Sequence, residues 1–185
     1  MKLARFVVVL FCLSGPLTAQ AASIFHDEDD DERPYRGSPK EEWHELDADI
    51  PPWPEKENLI PLKLDLGSFP YSLFIDGNSL SVGEDKVVRY TVVLRSPNGV
   101  ENVTYEGIRC KNKQVRRYAY GSRGQFRPVR KPQWRFIRNH GHDLYRRELV
   151  RVFFCPLPVG DSTAQILEKL KKHDFVRFQY QEDQM

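Results

Sequence analysis

The side chains most capable of chemistry lie in a basic stretch in the middle of the chain, where lysines and arginines alternate with aromatic residues. Residues 109–151 contain 14 basic and 2 acidic residues, and five aromatic residues stand between positions 118 and 136. Cations at this density attract anions, and aromatic rings can stack on planar ligand groups. We therefore predict an anion-binding surface. Its candidate contacts are Lys111, Arg116, Arg117, Arg123, Arg127, Arg130 and Lys131.

The alternative for the same residues is that the arginines are solvated or paired with carboxylates within the molecule. Residues 22–108 contain 8 basic and 19 acidic residues, so the two halves of the chain can pair with each other. The aromatic residues would then belong to the core or to a face of a sheet. Nucleic acid is not an expected partner, because residues 1–21 are predicted to direct the chain out of the cell interior.

No grouping of residue types predicts catalysis or a metal centre. His140-Gly141-His142 is followed by Asp143, but no paired cysteines and no Glu-x-x-His element accompany it, so we interpret it as a polar loop before a helix. The serines stand in turns, and the Gly-x-Ser-x-Gly elbow of hydrolases does not occur. We expect no catalytic residue, no metal ligand and no cofactor. The alternative is an enzyme whose site is assembled from residues distant in sequence.

The first residues have the features of a cleavable signal peptide. Lys2 and Arg5 precede an apolar run from Phe6 to Leu13, and Ala19-Gln20-Ala21 offers a signal-peptidase site. The run is shorter than the roughly 20 residues that a bilayer-spanning helix needs. We predict that residues 1–21 are removed, together with Cys12, and that the mature chain contains no transmembrane segment.

Two cysteines then remain, Cys110 and Cys155. Exported chains meet conditions in which disulfides form, and two cysteines allow one intramolecular pairing. A reactive thiol is the alternative, but neither cysteine belongs to a Cys-x-x-Cys motif. We predict the Cys110–Cys155 disulfide.

Residues 22–42 are predicted to form a disordered tail, because they are rich in proline and contain the acidic run from Asp27 to Glu32. The run could mask the basic surface within the same molecule. Trp43 and Trp53 differ from the rest of this region, since large aromatic side chains favour burial. We predict that the chain docks against the folded domain from about Trp43 onward.

The residue pattern predicts an antiparallel sheet. Tyr71 to Ile75 alternates as a strand before turn residues at 76–78, and residues 81–85 form a further turn. The segment from Val87 to Arg95 places four apolar residues, Val88, Tyr90, Val92 and Leu94, on one face and Arg89, Thr91 and Arg95 on a wet face. Ser96 to Gly99 closes a hairpin onto Val100–Cys110, in which a bulge at Gly107 would bring all the apolar residues to one face.

The remaining segments predict a mixed fold. Residues 114–121 resemble a strand with Tyr118 and Tyr120 on one side, and residues 121–132 resemble a basic loop. Helices are predicted from His142 to about Cys155 and from Ser162 onward, with an edge strand at 175–180. The fold class is therefore α+β, an antiparallel sheet with one or two packed helices and one disulfide. The domain spans residues 43–180, and residues 181–185 form a terminal tail.

One segment carries a family resemblance. The sequence VVRYTVVLRSPNGVENVTYEGIRC, together with the later Trp134 and VFFC, resembles the cryptic neisserial protein family, the CNP-like uncharacterised exported proteins of Gram-negative bacteria. The match covers about residues 43–156, and it implies a periplasmic location but no activity. The order of elements is also loosely similar to that of surface-adhesin E domains, an analogy of architecture alone.

These observations together favour a binding protein over an enzyme. We expect a non-enzymatic binding or assembly factor of the envelope that uses its basic surface. Its partner would be an anionic envelope component or an acidic protein surface.

Overall fold

The computed structural model describes residues 42–64, 66–67 and 69–182. Within these residues, seven antiparallel strands form one sheet in the order β1-β2-β3-β4-β5-β6, and β7 pairs with β5. The sheet and its helices confirm the predicted α+β class. The strands are β1 (Leu59–Leu62), β2 (Ser72–Val82), β3 (Val87–Arg95), β4 (Glu101–Arg109), β5 (Gln114–Ser122), β6 (Gln125–Pro128) and β7 (Arg135–Phe136).

Two helical segments follow the sheet in sequence. Helix α1 (Asp143–Glu148) continues as a π-helical segment (Leu149–Phe154), so the predicted helix ending near Cys155 is confirmed. Helix α2 spans Ser162–Glu182 and therefore includes the residues predicted as an edge strand, a prediction that was wrong. No proline or glycine interrupts the sequence between Ser162 and Glu182, so nothing local ends the helix before position 175.

The helices pack on one face of the sheet and form the main hydrophobic core. Alternate residues of β3 point into it, as the strand pattern predicted. Burial of these apolar side chains is the main stabilising contribution to the fold. The core includes Ile75, Val88, Tyr90, Val92, Leu94, Ile108, Leu149, Phe153, Phe154, Ile166 and Leu170.

The predicted disulfide is present. Cys110 and Cys155 are joined with Cα atoms 5.6 Å apart, 45 residues apart in sequence. Cys110 directly follows β4, and Cys155 directly follows the π-helical segment. The bond therefore ties the helical layer to the sheet.

The second face of the sheet is covered by an extended segment, residues 43–54, which we call the strap. It has no regular secondary structure, and Trp43 donates a hydrogen bond from Nε1 to the carbonyl oxygen of Asp85 at 2.8 Å. This contact confirms the predicted docking of the chain from Trp43 onward. The predicted wet face of β3 was wrong, because Arg89 and Thr91 are 5% and 0% exposed, and Arg89 donates a hydrogen bond to the carbonyl oxygen of Leu46 in the strap.

The turn predicted at residues 76–78 was also wrong, because β2 continues through them. Its register with β3 shifts between Asp76 and Ser81. Asp76 accepts a hydrogen bond from the backbone N–H of Asn78, and the hydroxyl of Ser79 accepts one from the N–H of Thr91. The turn-forming side chains thus support an irregularity inside a long strand.

The bulge predicted at Gly107 does not occur, because β4 pairs with β3 in an unbroken register. Both faces of β4 are buried, so its apolar residues need not share one side. The register irregularity lies opposite, in β5, where Ala119 faces Tyr105 and Arg117 faces Glu106. The additional residue, Tyr118, consequently lies on the strap face.

The structure corrects two further details of this region. Tyr120 pairs with Thr104, so it lies on the helix face and not on the same side as Tyr118. The predicted basic loop is partly ordered as β6, which pairs with β5 through a tight turn at Arg123 and Gly124, both with positive φ.

Several predictions fall on residues beyond the described ranges. They are the leader, the acidic run from Asp27 to Glu32, residues 22–41 of the tail, and residues 183–185.

Candidate anion-binding surface

Five of the seven candidate cations are exposed. Within the described residues they form no ion pair with any acidic side chain. They occupy different parts of the β5–β6 region and do not form one patch, because Lys111 precedes β5 and Arg123 follows it. The nine residues of β5 span about 30 Å at the usual rise of a strand. The five residues are Lys111, Arg123, Arg127, Arg130 and Lys131.

The other two candidates, Arg116 and Arg117, point to opposite faces of the sheet and pair internally. Arg116 forms an ion pair with Glu45 of the strap. Arg117 donates to Glu106 at 3.2 Å, and its guanidinium lies 5.1 Å from the ring centroid of Tyr120. For these two residues, the internal role that the sequence left open applies.

A groove of about 310 Å³ separates the strap from the β5–β6 region. Arg130 and Lys131 lie in the segment between Pro128 and Pro132, which both line the groove, and neither cation is itself part of the lining. Arg127 is less well placed, because it pairs with Tyr120 of the helix face. The groove is lined by Glu45, Leu46, Asp47, Ala48, Ile50, Arg116, Tyr118, Pro128 and Pro132.

At one wall of the groove, several donors converge on the carboxylate of Glu45. The hydroxyl of Tyr118 donates to Oε1 at 2.6 Å, and Nε1 of Trp134 donates to Oε2 at 2.8 Å. Arg116 pairs with Oε2, and Nη2 of Arg89 lies 4.0 Å from Oε1. Burial and the hydrogen bond to Glu45 raise the pKa of Tyr118 well above its ordinary value, so the phenol stays protonated and remains a donor.

A second anchor holds the strap next to Glu45. The carboxylate of Asp85 accepts from the backbone N–H of Leu46 at 2.9 Å and from Nη2 of Arg89 at 2.6 Å. The same guanidinium nitrogen donates to the carbonyl oxygen of Leu46 at 2.8 Å. Burial alone would raise the pKa of Asp85, but these bonds outweigh it and hold the pKa below its ordinary value.

A buried ionic network, which the sequence did not indicate, lies on the other face of the sheet. Glu106 is 0% exposed, and its two carboxylate oxygens accept six hydrogen bonds. The donors are Tyr90, Thr104, Arg117, Tyr145 and Arg146, the last through two nitrogens. Burial opposes ionisation of Glu106, but Arg146 and Arg117 outweigh it, so its pKa lies below the ordinary value of 4.5.

The network continues to the start of α1. Asp143 accepts two hydrogen bonds from Arg135, at 2.6 and 2.8 Å, and one from Arg146 at 2.7 Å. The backbone N–H of Arg138 adds a further bond at 3.0 Å. Although burial would raise the pKa of Asp143, these donors depress it well below 3.8.

The geometry of this network indicates a structural role. With six donors on its carboxylate, Glu106 has no lone pair left to accept a substrate proton, and it does not line the groove. One sequence signal could have revealed Glu106: it shares the parity of Ile108 in β4, which places an acidic residue on an apolar face of the strand. Its partners Arg117 and Arg146 lie 11 and 40 residues away in sequence.

In the described part of the chain, no three histidine, cysteine, aspartate or glutamate side chains lie close enough to share a metal ion. The ring of His142 stacks loosely on Tyr71, with centroids 5.6 Å apart. None of the helices formed by the described residues combines the length and apolar character needed to cross a bilayer.

The comparisons with known proteins give one match. Neither the curated proteins nor the solved structures that were compared contain a match to this chain. Residues 38–171 match the family model described as the CNP1-like family. These residues include every strand of the sheet, both anchors of the strap, the ionic network and both cysteines of the disulfide. The chain therefore belongs to the CNP1-like family, as the resemblance of its central segment predicted.

Proposed function

We propose that this protein is an exported, non-enzymatic binding or assembly factor of the Gram-negative envelope, which holds an anionic partner at the basic edge of the groove. The observation that carries the proposal is that Arg130 and Lys131 are exposed and form no ion pair with the described acidic residues. Both stand beside the groove, and nearby Arg135, in contrast, is paired with Asp143. Cations that the fold leaves unmatched beside a concave surface are available to a ligand.

Export to the periplasm is supported by two independent features. The leader at residues 1–21 has the composition of a signal peptide. The Cys110–Cys155 disulfide suits an oxidising compartment, because cytosolic thiols are kept reduced. A periplasmic protein also meets abundant anionic groups, in the lipid headgroups and in acidic protein surfaces.

The hydrogen bonds of the buried carboxylates and the lining of the groove favour a binding role over catalysis. The buried carboxylates of Glu106 and Asp143, whose pKa values are lowered by arginines, are engaged in hydrogen bonds with those arginines and stabilise the fold. The groove is lined by one cation, Arg116, by the tyrosine hydroxyl of Tyr118, by the carboxylates of Glu45 and Asp47, and by apolar side chains. This lining contains no serine, cysteine or histidine, so it provides no nucleophile activated by a base.

Binding of anionic probes to the purified chain tests the proposal. The probes are phosphatidylglycerol vesicles, with phosphatidylcholine vesicles as the neutral reference, and hexaglutamate as an acidic peptide. We expect binding to the anionic probes that weakens steeply between 50 and 300 mM salt (roughly a fall in Debye length from 14 to 6 Å), because the contacts are exposed ion pairs. The R130E/K131E variant should lose about tenfold or more in affinity, since each reversed charge replaces attraction by repulsion.

The matched control is K169E/K171E on α2. Both lysines are exposed and lie far along the sequence from the groove, and their reversal changes the net charge by the same amount. A loss of affinity in the control as large as that in R130E/K131E would contradict a local site, because the effect would then be one of net charge.

A further inference from the structure

The carboxylate of Glu45 is held as a bound ligand would be held. It receives a phenol, an indole N–H and a guanidinium, with a second guanidinium at 4.0 Å. We call these four side chains, Arg89, Arg116, Tyr118 and Trp134, the carboxylate cradle. Arg89 belongs to β3, while Arg116 and Tyr118 belong to β5, so most of the cradle is fixed by the sheet.

The segment that supplies Glu45 is attached less firmly than the cradle. The strap has no regular secondary structure, and among the described residues it makes no backbone-to-backbone hydrogen bond with the sheet. Each of its hydrogen bonds to the sheet involves a side chain: the indole of Trp43, the carboxylate of Glu45, and the side chains of Asp85 and Arg89, which bond to the backbone of Leu46. Movement of Glu45 out of the cradle therefore leaves the sheet ladder intact.

The cradle also has donor capacity that Glu45 does not use. Nε of Arg89 and Nε of Arg116 are buried without a hydrogen-bond partner, and so is the hydroxyl of Thr91 on the same face. The side chain of Arg89 is only 6% exposed. Buried donors without partners are costly and rare in folded proteins, and they mark places where a ligand can supply the missing acceptor.

The cradle opens to the outside. Glu45, Arg116 and Tyr118 all line the groove, next to the apolar side chains of Leu46 and Ile50, which are 48% and 37% exposed. A ligand in the groove thus meets the cradle at one wall and apolar contacts beside it.

We infer that the cradle is a binding site for a carboxylate of an acidic peptide segment, and that Glu45 is a built-in competitor that occupies it until the partner arrives. The inference rests on the proposed function and deepens it by naming the ligand class. The carboxylate that already fills the site fits its donors, and the groove accepts the side chains that flank an acidic residue in a peptide.

The test compares hexaglutamate binding by Glu45→Ala with that of the parent chain. Removal of Glu45 should tighten binding by about tenfold or more. While Glu45 occupies the cradle, the apparent affinity for the peptide is the intrinsic affinity multiplied by the small fraction of molecules in which the cradle is vacant. Glu42→Ala is the matched control: it removes an exposed carboxylate directly before the strap that forms no hydrogen bond or ion pair with the four cradle side chains. The E45A/R116Q double variant should lose the gain.

A second measurement covers the case in which the E45A variant is destabilised. The melting temperature of E45A should be higher in acetate than in chloride of equal ionic strength, because acetate fills the vacated cradle. The melting temperature of E42A should be the same in the two salts. This readout needs no partner.

The outcomes separate the two proposals. If R130E/K131E weakens binding to anionic probes while E45A binds hexaglutamate no more tightly than E42A and gains nothing from acetate, the inference is wrong and the proposed function stands. If the E45A gain and the acetate effect appear while R130E/K131E binds normally, the cradle is supported and the basic edge is not the binding site.

Discussion

Replacement of Glu106 by glutamine is the most direct test of how the interior of this protein is held together. The substitution keeps the size of the side chain but removes its charge, and it presents an amide NH₂ where one oxygen accepts three hydrogen bonds. Arg146, whose side chain is 3% exposed, then loses its closest anionic partner.

The magnitude follows from the burial of the network. Loss of one partner of a buried ion pair costs about 3–5 kcal/mol, because the remaining charge is uncompensated in a poorly solvated site. For a domain of this size we expect the melting temperature to fall by roughly 10–15 °C. Such a loss is a large part of a typical total stability of about 5–15 kcal/mol.

The assay is urea unfolding followed by circular dichroism, with Glu101→Gln as the control. Glu101 also pairs with an arginine, Arg95, but the two side chains are 40% and 37% exposed, so the control should change the free energy of unfolding by less than about 1 kcal/mol. The E106Q/R146M double variant should recover part of the loss, because it also removes the buried cation that has lost its closest anionic partner. If the E106Q and E101Q variants differ by less than 1 kcal/mol, the reasoning about the network is refuted.

Three further predictions concern the disulfide, acid stability and a close contact. The C110S/C155S variant should lose about 4 kcal/mol in the free energy of unfolding by urea, the chain-entropy value for a 45-residue separation; a loss below 1 kcal/mol would count against a structural bond. The pKa of Asp143 is depressed in the folded state, so the stabilisation that its ionised form provides is present above the unfolded value near 3.8 and is lost as the pH falls below it. The free energy of unfolding should therefore drop between about pH 5 and 2, and the drop should be less steep in the D143N variant. Equal slopes in the two proteins would contradict this. Gly107→Ala should lower the free energy of unfolding by about 1–3 kcal/mol in the same assay, because a Cβ at this position would overlap the hydroxyl of Tyr118. Gly77→Ala should lower it less, because the atoms nearest to a Cβ there are at 3.3 Å or more. A larger loss for Gly77→Ala than for Gly107→Ala would contradict the packing.

The sequence predicted those parts of the fold that depend on local pattern. The alternation in β3, the hairpin at Ser96 to Gly99, the helix ending at Cys155 and the disulfide all follow from period, turn residues or cysteine number. It could not predict which segment covers which face. Arg89 was assigned to solvent because Thr91 and Arg95 on the same parity are polar, and it is covered by the strap, which lies 43 residues earlier at Leu46.

For the candidate site too, the sequence predicted local features but not the contacts between distant residues. Exposed cations were identified from composition, but composition does not distinguish Arg117, which pairs with Glu106, from Arg130, which pairs with no described carboxylate. The pairings depend on contacts across the sheet between residues far apart in sequence. Glu45 was missed for this reason, since one glutamate among many in an acidic region carries no local signal.

The position of the strap has a practical consequence for anyone who trims this protein for expression. Pattern alone would suggest that the domain can be cut shortly before β1, because the first regular element starts at Lys56. A fragment that starts there would lack the cover over Thr91, Tyr105 and Gly121, and its bare sheet would present apolar surface to neighbouring molecules. A shortened version should therefore retain Trp43, or it will be prone to aggregate.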